Sequence, residues 1–219
     1  MLVHRRAAVS SCNMNRRSSS MAKSYDAGYF HRWYRDPRTR VTSERALERK
    51  VRLAVSAAEY MLGRRIRTVL DVGCGEARWH IALKRIRPRI QYIGVESSEY
   101  AVRTFGESRD VRQGTFGTLK TLRLRGPYDL IVCADMLQYV SAAELAAGLR
   151  QIRRLLGGVA YIEAYAREDD MEGDMEGWMF RSAASLRRAF RAAGLTHCGL
   201  YCFVDVDKLT AVNELEVCS

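Results

Sequence analysis

The chain has 219 residues, 47% hydrophobic and 28% charged, which is enough for one domain with a full core. No apolar run approaches the roughly 20 residues that span a bilayer, so no membrane-spanning helix is expected. The net charge of +11 lies ahead of residue 68, because residues 1–67 carry 16 Lys and Arg against 5 Asp and Glu, while residues 68–219 carry 20 of each. That asymmetry suits contact with nucleic acid or a membrane surface; solvated, Arg-rich helix faces explain it more simply.

Residues 1–20 hold Arg5, Arg6, Arg16, Arg17, five serines and no acid, and are read as a disordered basic tail. Their composition resembles a transit peptide, but Met21 offers a second start, and an upstream-start artefact is the preferred reading. Residues 21–67 form an aromatic and basic arm followed by a helix. Tyr25 to Arg38 is the most aromatic stretch of the chain. From Glu44 to Leu62, the residues Leu47, Val51, Val55 and Ala58 fall on one stripe, which predicts an amphipathic helix ended by Gly63.

Residues 68–219 read as the main domain. Thr68–Val72 is a short strand, and Gly73-Cys74-Gly75-Glu76-Ala77 is a tight turn into a helix beginning near Trp79. A second strand, Gln91–Val95, ends in Glu96, and Ser98 is the predicted N-cap of a helix over Glu99–Phe105. Val111–Phe116 is a third strand with its exit loop. Tyr128–Ala134 is a fourth, a near-continuous apolar run and therefore buried on both faces, with Asp135 at its carboxyl end. Ser141 and Glu144 form a capping box for a helix to Leu156, and Gly157-Gly158 is read as the turn into strand five, Val159–Tyr165. A polar, acidic loop covers Arg167–Trp178. A helix follows from Ser185 to Ala193, and Thr196–Asp205 and Leu209–Val217 are read as a closing antiparallel pair.

Strand, glycine turn and helix together let a cofactor approach bare backbone near the positive end of a helix. A carboxylate at the tip of the second strand is placed to accept hydrogen bonds from both hydroxyls of a ribose. A dinucleotide fingerprint needs glycine at the sixth place from Gly73, and Arg78 stands there. The pattern Asp71-x-Gly73-x-Gly75-x-Ala77 instead resembles motif I of the class I S-adenosylmethionine-dependent methyltransferases, with Ala77 where a third glycine is usual. Tyr92–Glu96 is similar to motif II of that family, and Tyr128–Asp135 to motif IV.

The resemblance implies a Rossmann-like, doubly wound α/β fold with a seven-stranded sheet, mostly parallel, whose last strand is antiparallel. The cofactor it implies is S-adenosyl-L-methionine, held by Asp71, Gly73, Cys74, Gly75, Glu96, Ser97, Thr115, Phe116, Ala134 and Asp135. Phe116 is read either as stacking on the base or as a core residue. The aromatic arm is either a lid or a packing arm. As a lid it would bring Tyr25, Tyr29, Trp33, Tyr34 and Arg38 to the substrate, joined by Tyr165 and Trp178.

Methyl transfer from a sulfonium needs positioning in a dry pocket more than acid–base help, so the absence of a catalytic triad is expected. If a base is needed, the candidates are Asp135, Tyr139, Glu163 and His31. No metal-ligand spacing is present, and six cysteines without a Cys-x-x-Cys pair suit a reducing cytoplasm. The expected acceptor is an O or N atom of a small molecule. The alternative is an RNA methyltransferase (rRNA or tRNA) using the basic N-terminal region, which is disfavoured because strand four ends in Ala-Asp-Met-Leu and the acidic loop would repel phosphates. A third reading is a non-catalytic domain that binds the cofactor as a sensor. Deleting residues 1–20 is expected to leave the melting temperature unchanged in a thermal scan.

Overall fold

The computed structural model describes residues 23–171 and 173–208, so the basic tail of residues 1–20 and the strand expected at Leu209–Val217 lie outside the described residues. In chain order the elements are α1 (Ala27–Phe30), α2 (Glu44–Leu62), β1 (Thr68–Val72), α3 (Arg78–Ile86), β2 (Gln91–Glu96), α4 (Glu99–Arg109) and β3 (Val111–Gln113). Then come β4 (Tyr128–Cys133), α5 (Ala142–Leu155), β5 (Leu156–Ile162), α6 (Ala183–Ala192), β6 (Thr196–His197) and β7 (Cys202–Val204). The strands form one sheet in the order β3-β2-β1-β4-β5-β7-β6. β1 to β5 are mutually parallel, and β7 runs antiparallel to both β5 and β6. This is the doubly wound architecture expected from the sequence.

Alternate residues of each central strand feed opposite faces of the sheet, as a period of two requires. Val69, Leu130, Val132, Val159 and Tyr161 pack with α2 and α3 in one core. Leu70, Val72, Ile131, Cys133, Ala160 and Ile162 pack with α5 and α6 in the other. α2 contributes Val51, Ala54, Val55 and Ala58, none more than 3% exposed. It is therefore packed as a layer on the sheet, and the aromatic arm is confined to residues ahead of Ser43. Ser43 caps α2 by accepting from the Ala46 amide at 3.2 Å, and Gly63 ends it at φ 63°, the latter at the place the sequence signals. The Ser141–Glu144 capping box is present.

Three sequence readings need correction. α4 continues past Phe105 to Arg109, because Gly106 is tolerated inside it and Asp110, at φ 49°, supplies the stop. β5 begins at Leu156 and ends at Ile162, so Gly157 and Gly158 are strand residues and not a turn. Glycine is required there by close approach: a Cβ on Gly158 would lie 2.3 Å from the Asp129 carbonyl oxygen, and one on Gly157 2.8 Å from Pro127 Cβ. Finally, Thr196–Asp205 is not one strand but a hairpin, with Thr196 paired to Val204 and His197 to Phe203. Its turn uses left-handed backbone at Gly199, Leu200 and Tyr201, and only the glycine announces that conformation in sequence. Among the described residues no helix is long and apolar enough to cross a membrane.

Gly158→Ala meets a backbone atom that cannot swing away. It is expected to destabilise the chain by about 1–3 kcal/mol, read as a lower midpoint in denaturant unfolding.

Candidate active site

β1 lies between β2 and β4, with Asp71 opposite Gly94 on one side and Val132 on the other. The chain leaves β1 in one direction and returns on its other side, so a crevice opens at the carboxyl ends of β1 and β4. The turn after β1 has left-handed backbone at Gly73, Gly75 and Ala77, with φ of 71°, 54° and 52°. Ala77 keeps the geometry of the missing third glycine at a cost of roughly 1–2 kcal/mol. The Gly73 and Cys74 amides both donate to the Val95 carbonyl, at 2.8 and 3.2 Å, which ties the turn to β2. Bare backbone is needed at both glycines, since a Cβ would lie 2.7 Å from Met136 Cγ at Gly73 and 3.1 Å from Phe30 Cε1 at Gly75.

Glu96, 7% exposed, clamps this turn. Its Oε2 accepts from the Gly75 amide at 2.7 Å, and its Oε1 accepts from the Ser97 and Ser98 amides at 2.8 and 2.9 Å. Oε2 keeps a further lone pair beside the cavity that Glu96 borders. Asp71 is buried behind the turn and accepts from the Tyr92 hydroxyl at 2.7 Å. Burial pushes its carboxyl up to about 7; the Tyr92 bond opposes the shift and Glu96 adds to it. The Cys74 sulfur sits over Gly94, and burial raises its thiol well above the usual range.

Three neighbouring cavities occupy the crevice, and Tyr34 and Asp135 border all of them. The first runs past Gly73, Gly75, Glu96, Ser97, Thr115 and Phe116. The second reaches Asp71, Cys74, Ala134, Lys50 and Glu163. The third is walled by Tyr29, Trp33, Tyr139, Tyr165, Asp174 and Trp178. Every cofactor candidate from the sequence therefore borders the first or second cavity. Phe116 is seated in the core, however, 2% exposed, with its ring against Gly148, where a Cβ would stand 2.1 Å from Cδ1. It forms floor, not a stacking platform.

Asp26 caps α1 by accepting from the Tyr29 amide, and the helix passes into a π turn over His31–Arg35. This brings Tyr25, Tyr29, Trp33 and Tyr34 to the cavities, with Tyr165 stacked on Trp178 (interplanar angle 2°). The arm is pinned by three contacts: Phe30 against Gly75, Arg35 paired with Glu76 and donating to the Tyr100 hydroxyl at 2.7 Å, and Ser98 Oγ donating to the Tyr25 carbonyl at 2.5 Å. Arg35 is 44% exposed, so its ion pair contributes about 0.2–1 kcal/mol. Phe30 is 2% exposed, and burying such a ring contributes about 1.5–3 kcal/mol. The ring, not the charge, is the main anchor.

Two candidates fall outside the site. His31 is exposed and borders none of the three cavities, and Arg38 is 88% exposed and paired with Asp36 two residues away. Both share the arm with site residues, but the turn aims them elsewhere. Asp135 (φ 57°) accepts from the Gln138 side chain at 2.8 Å, and burial raises its carboxyl to about 6. Burial also raises the Tyr139 phenol, which donates to the Asp174 carbonyl at 2.9 Å. Glu163 Oε1 pairs with Lys50 at 2.6 Å and accepts from the Tyr161 hydroxyl at 2.9 Å, while its buried Oε2 has no hydrogen-bond partner among the described residues. Among the described residues no cluster of His, Cys, Asp and Glu could hold a metal ion. Sequence reasoning missed Phe30, Lys50, Met136 and Asp174. Phe30 lay inside the aromatic run and Asp174 inside the acidic loop, whereas nothing local distinguishes Lys50 from the other cations of α2.

A family model described as a methyltransferase domain matches residues 42–198. No curated protein matches the chain. Among solved structures the fold is similar to that of the plantazolicin methyltransferase BamL, crystallised with a triazolic desmethyl analogue and SAH (TM-score 0.55, 15% identity, covering 70% of this chain and 66% of that one). It is also similar to DesVI of Streptomyces venezuelae (TM-score 0.54, 17% identity, 71% and 86% covered) and to the cyclase SpnF (TM-score 0.52, 23% identity, 75% and 62% covered). The chain thus spans less than two thirds of SpnF and BamL. At these identities the likeness is one of fold, and a cyclase among the neighbours illustrates that the fold alone does not fix the chemistry.

Because Asp71 keeps its proton in the folded chain up to about pH 7 and loses it near 3.8 when unfolded, the unfolded state binds fewer protons between those values. Its contribution to stability therefore falls as pH rises through that window. Asp71→Asn is expected to flatten the stability–pH curve there, relative to the parent, in denaturant melts.

Proposed function

The chain belongs to the methyltransferase-domain family, whose members draw on S-adenosyl-L-methionine, and from that premise we propose that it methylates an O or N atom of a small molecule in the cavity walled by its aromatic arm. The observation that carries this reading is the meeting of three cavities at Tyr34 and Asp135. One has the ribose-type carboxylate, one has an unsatisfied buried acceptor beside a lysine, and one is lined by rings.

The residues fit the cofactor's chemistry group by group. Glu96 Oε2 would accept from the ribose hydroxyls, with Ser97 and Thr115 beside it. Glu163 Oε2, buried without a partner, suits an ammonium, and the remaining donors of Lys50 suit a carboxylate. When bound, the cofactor supplies a methyl group on a positively charged sulfur, so the site must position an acceptor and exclude water. Phe30, Tyr34 and the arm do the excluding. Asp135, with its carboxyl at about 6, is ionised at neutral pH and is the group suited to take a proton from the acceptor. Tyr139 is held protonated, and Glu163 is engaged by Lys50.

A long phosphate backbone suits this mouth poorly, because Asp169, Asp170, Asp174 and Glu176 stand on its rim loop. Buried thiols such as Cys133 are compatible with a reducing cytoplasm as the working compartment.

S-adenosylhomocysteine at about 100 times its dissociation constant is expected to add roughly 2.7 kcal/mol to stability in a thermal scan, with no shift from NAD. The opposite pattern would overturn the reading. Glu96→Ala should weaken that binding by at least about tenfold in calorimetry and also cost about 1–3 kcal/mol of stability, since the Gly75 and Ser98 amides lose their acceptor. Unchanged affinity would remove Glu96 from the ribose role.

A further inference from the structure

The ammonium of Lys23 is boxed by rings. Its Nζ stands 4.2 Å from the Tyr139 centroid, 5.3 Å from that of Tyr29 and 5.6 Å from that of Tyr25. Tyr25 meets Tyr29 and Tyr139 edge to face, at 85° and 76°, so the rings form the sides of a box. The same ammonium pairs with Asp174 and donates to the Glu176 carbonyl at 2.9 Å. Asp174 is itself fixed by the Tyr139 hydroxyl, which donates to its carbonyl at 2.9 Å and to Oδ2 at 3.3 Å. The Lys23 and Asp174 side chains are only 13% and 10% exposed. Ring faces attract a cation through their quadrupole, and a carboxylate in a half-dry site adds charge. Taken together, three rings, one carboxylate and one carbonyl are the parts of a receptor for an alkylammonium.

This box is not separate from the acceptor cavity. Tyr29, Tyr139 and Asp174 wall both, alongside Asp135. Among the described residues the one cation bordering that cavity, Lys50, is already paired with Glu163. The wall left for a ligand is aromatic and acidic, which suits an amine that arrives protonated and is wrong for an anion. Lys23 shares the arm with Tyr25 and Tyr29, and its stem lies beside Gly177, so emptying the box requires only its long side chain to swing aside.

We propose that Tyr25, Tyr29, Tyr139 and Asp174 form the binding site for the ammonium group of an organic amine, the acceptor class of this protein, and that the Lys23 side chain holds that place until the amine displaces it. The proposal rests on the methyl-transfer reading above and narrows its acceptor to nitrogen; the bound ammonium would first give a proton to Asp135 on the same cavity wall, freeing the lone pair that bonds the methyl carbon as the carbon–sulfur bond breaks.

The test is calorimetric titration of the full chain with n-butylammonium, and with 1-pentanol as a neutral counterpart of similar size. Removing the internal occupant with Lys23→Met is expected to tighten n-butylammonium binding by about tenfold and leave 1-pentanol unaffected. Adding Asp174→Asn to that variant is expected to abolish the gain. Unchanged or weaker n-butylammonium binding by Lys23→Met, or an equal gain for 1-pentanol, would overturn the proposal. Lys23→Gln serves the same purpose if the methionine variant fails to fold. S-adenosylhomocysteine is titrated into the same samples. If it binds while the ammonium gain is missing, only the amine assignment falls; if it fails to bind the parent chain, the methyl-transfer reading falls instead.

Discussion

One carboxylate, that of Glu96, holds the working end of this molecule together. It lies at the tip of β2, yet it accepts from the amide of Gly75 in the turn after β1 and from the amides that open α4. Amides at a turn and at a helix start have no partner in regular structure, and leaving them dry would be costly. By satisfying them, Glu96 fixes the distance between two loops that otherwise share no backbone ladder. Ser98, positioned by that same carboxylate, uses its hydroxyl both to cap α4 and to hold the Tyr25 carbonyl of the arm. Turn, helix start and arm thus depend on one buried charge.

The charges of the arm and those of the crevice divide the labour. On the arm, Arg35 reaches Glu76 and Lys23 reaches Asp174, so each cation is answered by an acid from a different loop. Deeper in, Lys50 answers Glu163 from α2, which is bolted to the sheet. The outer pairs join the arm to separate loops, while the deep pair joins α2 to the residue that follows β5.

Much of this was legible in the sequence because the signals were local. Gly63 and the Ser141–Glu144 box each act within a few residues, and the end of α2 and the start of α5 follow from them. The cofactor turn was legible because bare backbone and a carboxylate at a fixed separation leave few alternatives. What escaped was set by distant partners. Gly157 and Gly158 carry the composition of a turn, and only the backbone of β4 pressing against them makes them strand. Leu200 and Tyr201 adopt left-handed backbone that their side chains disfavour, so a hairpin was read as a strand. Phe116 is ambiguous in sequence, stacking ring or core residue, because its loop borders the cavity, and the small face of Gly148, distant in the chain, seats it in the core. Lys50 owes its role to Glu163, more than a hundred residues away.

Tyr34 belongs to all three cavities, and this has a kinetic meaning. A side chain common to every compartment cannot move for one occupant without altering the others. On the proposed function, the occupants of the three cavities are therefore coupled through this one ring. On that reading, a substitution at Phe30, which seats the arm far from any bond being made, is expected to change how fast the cavities exchange their occupants.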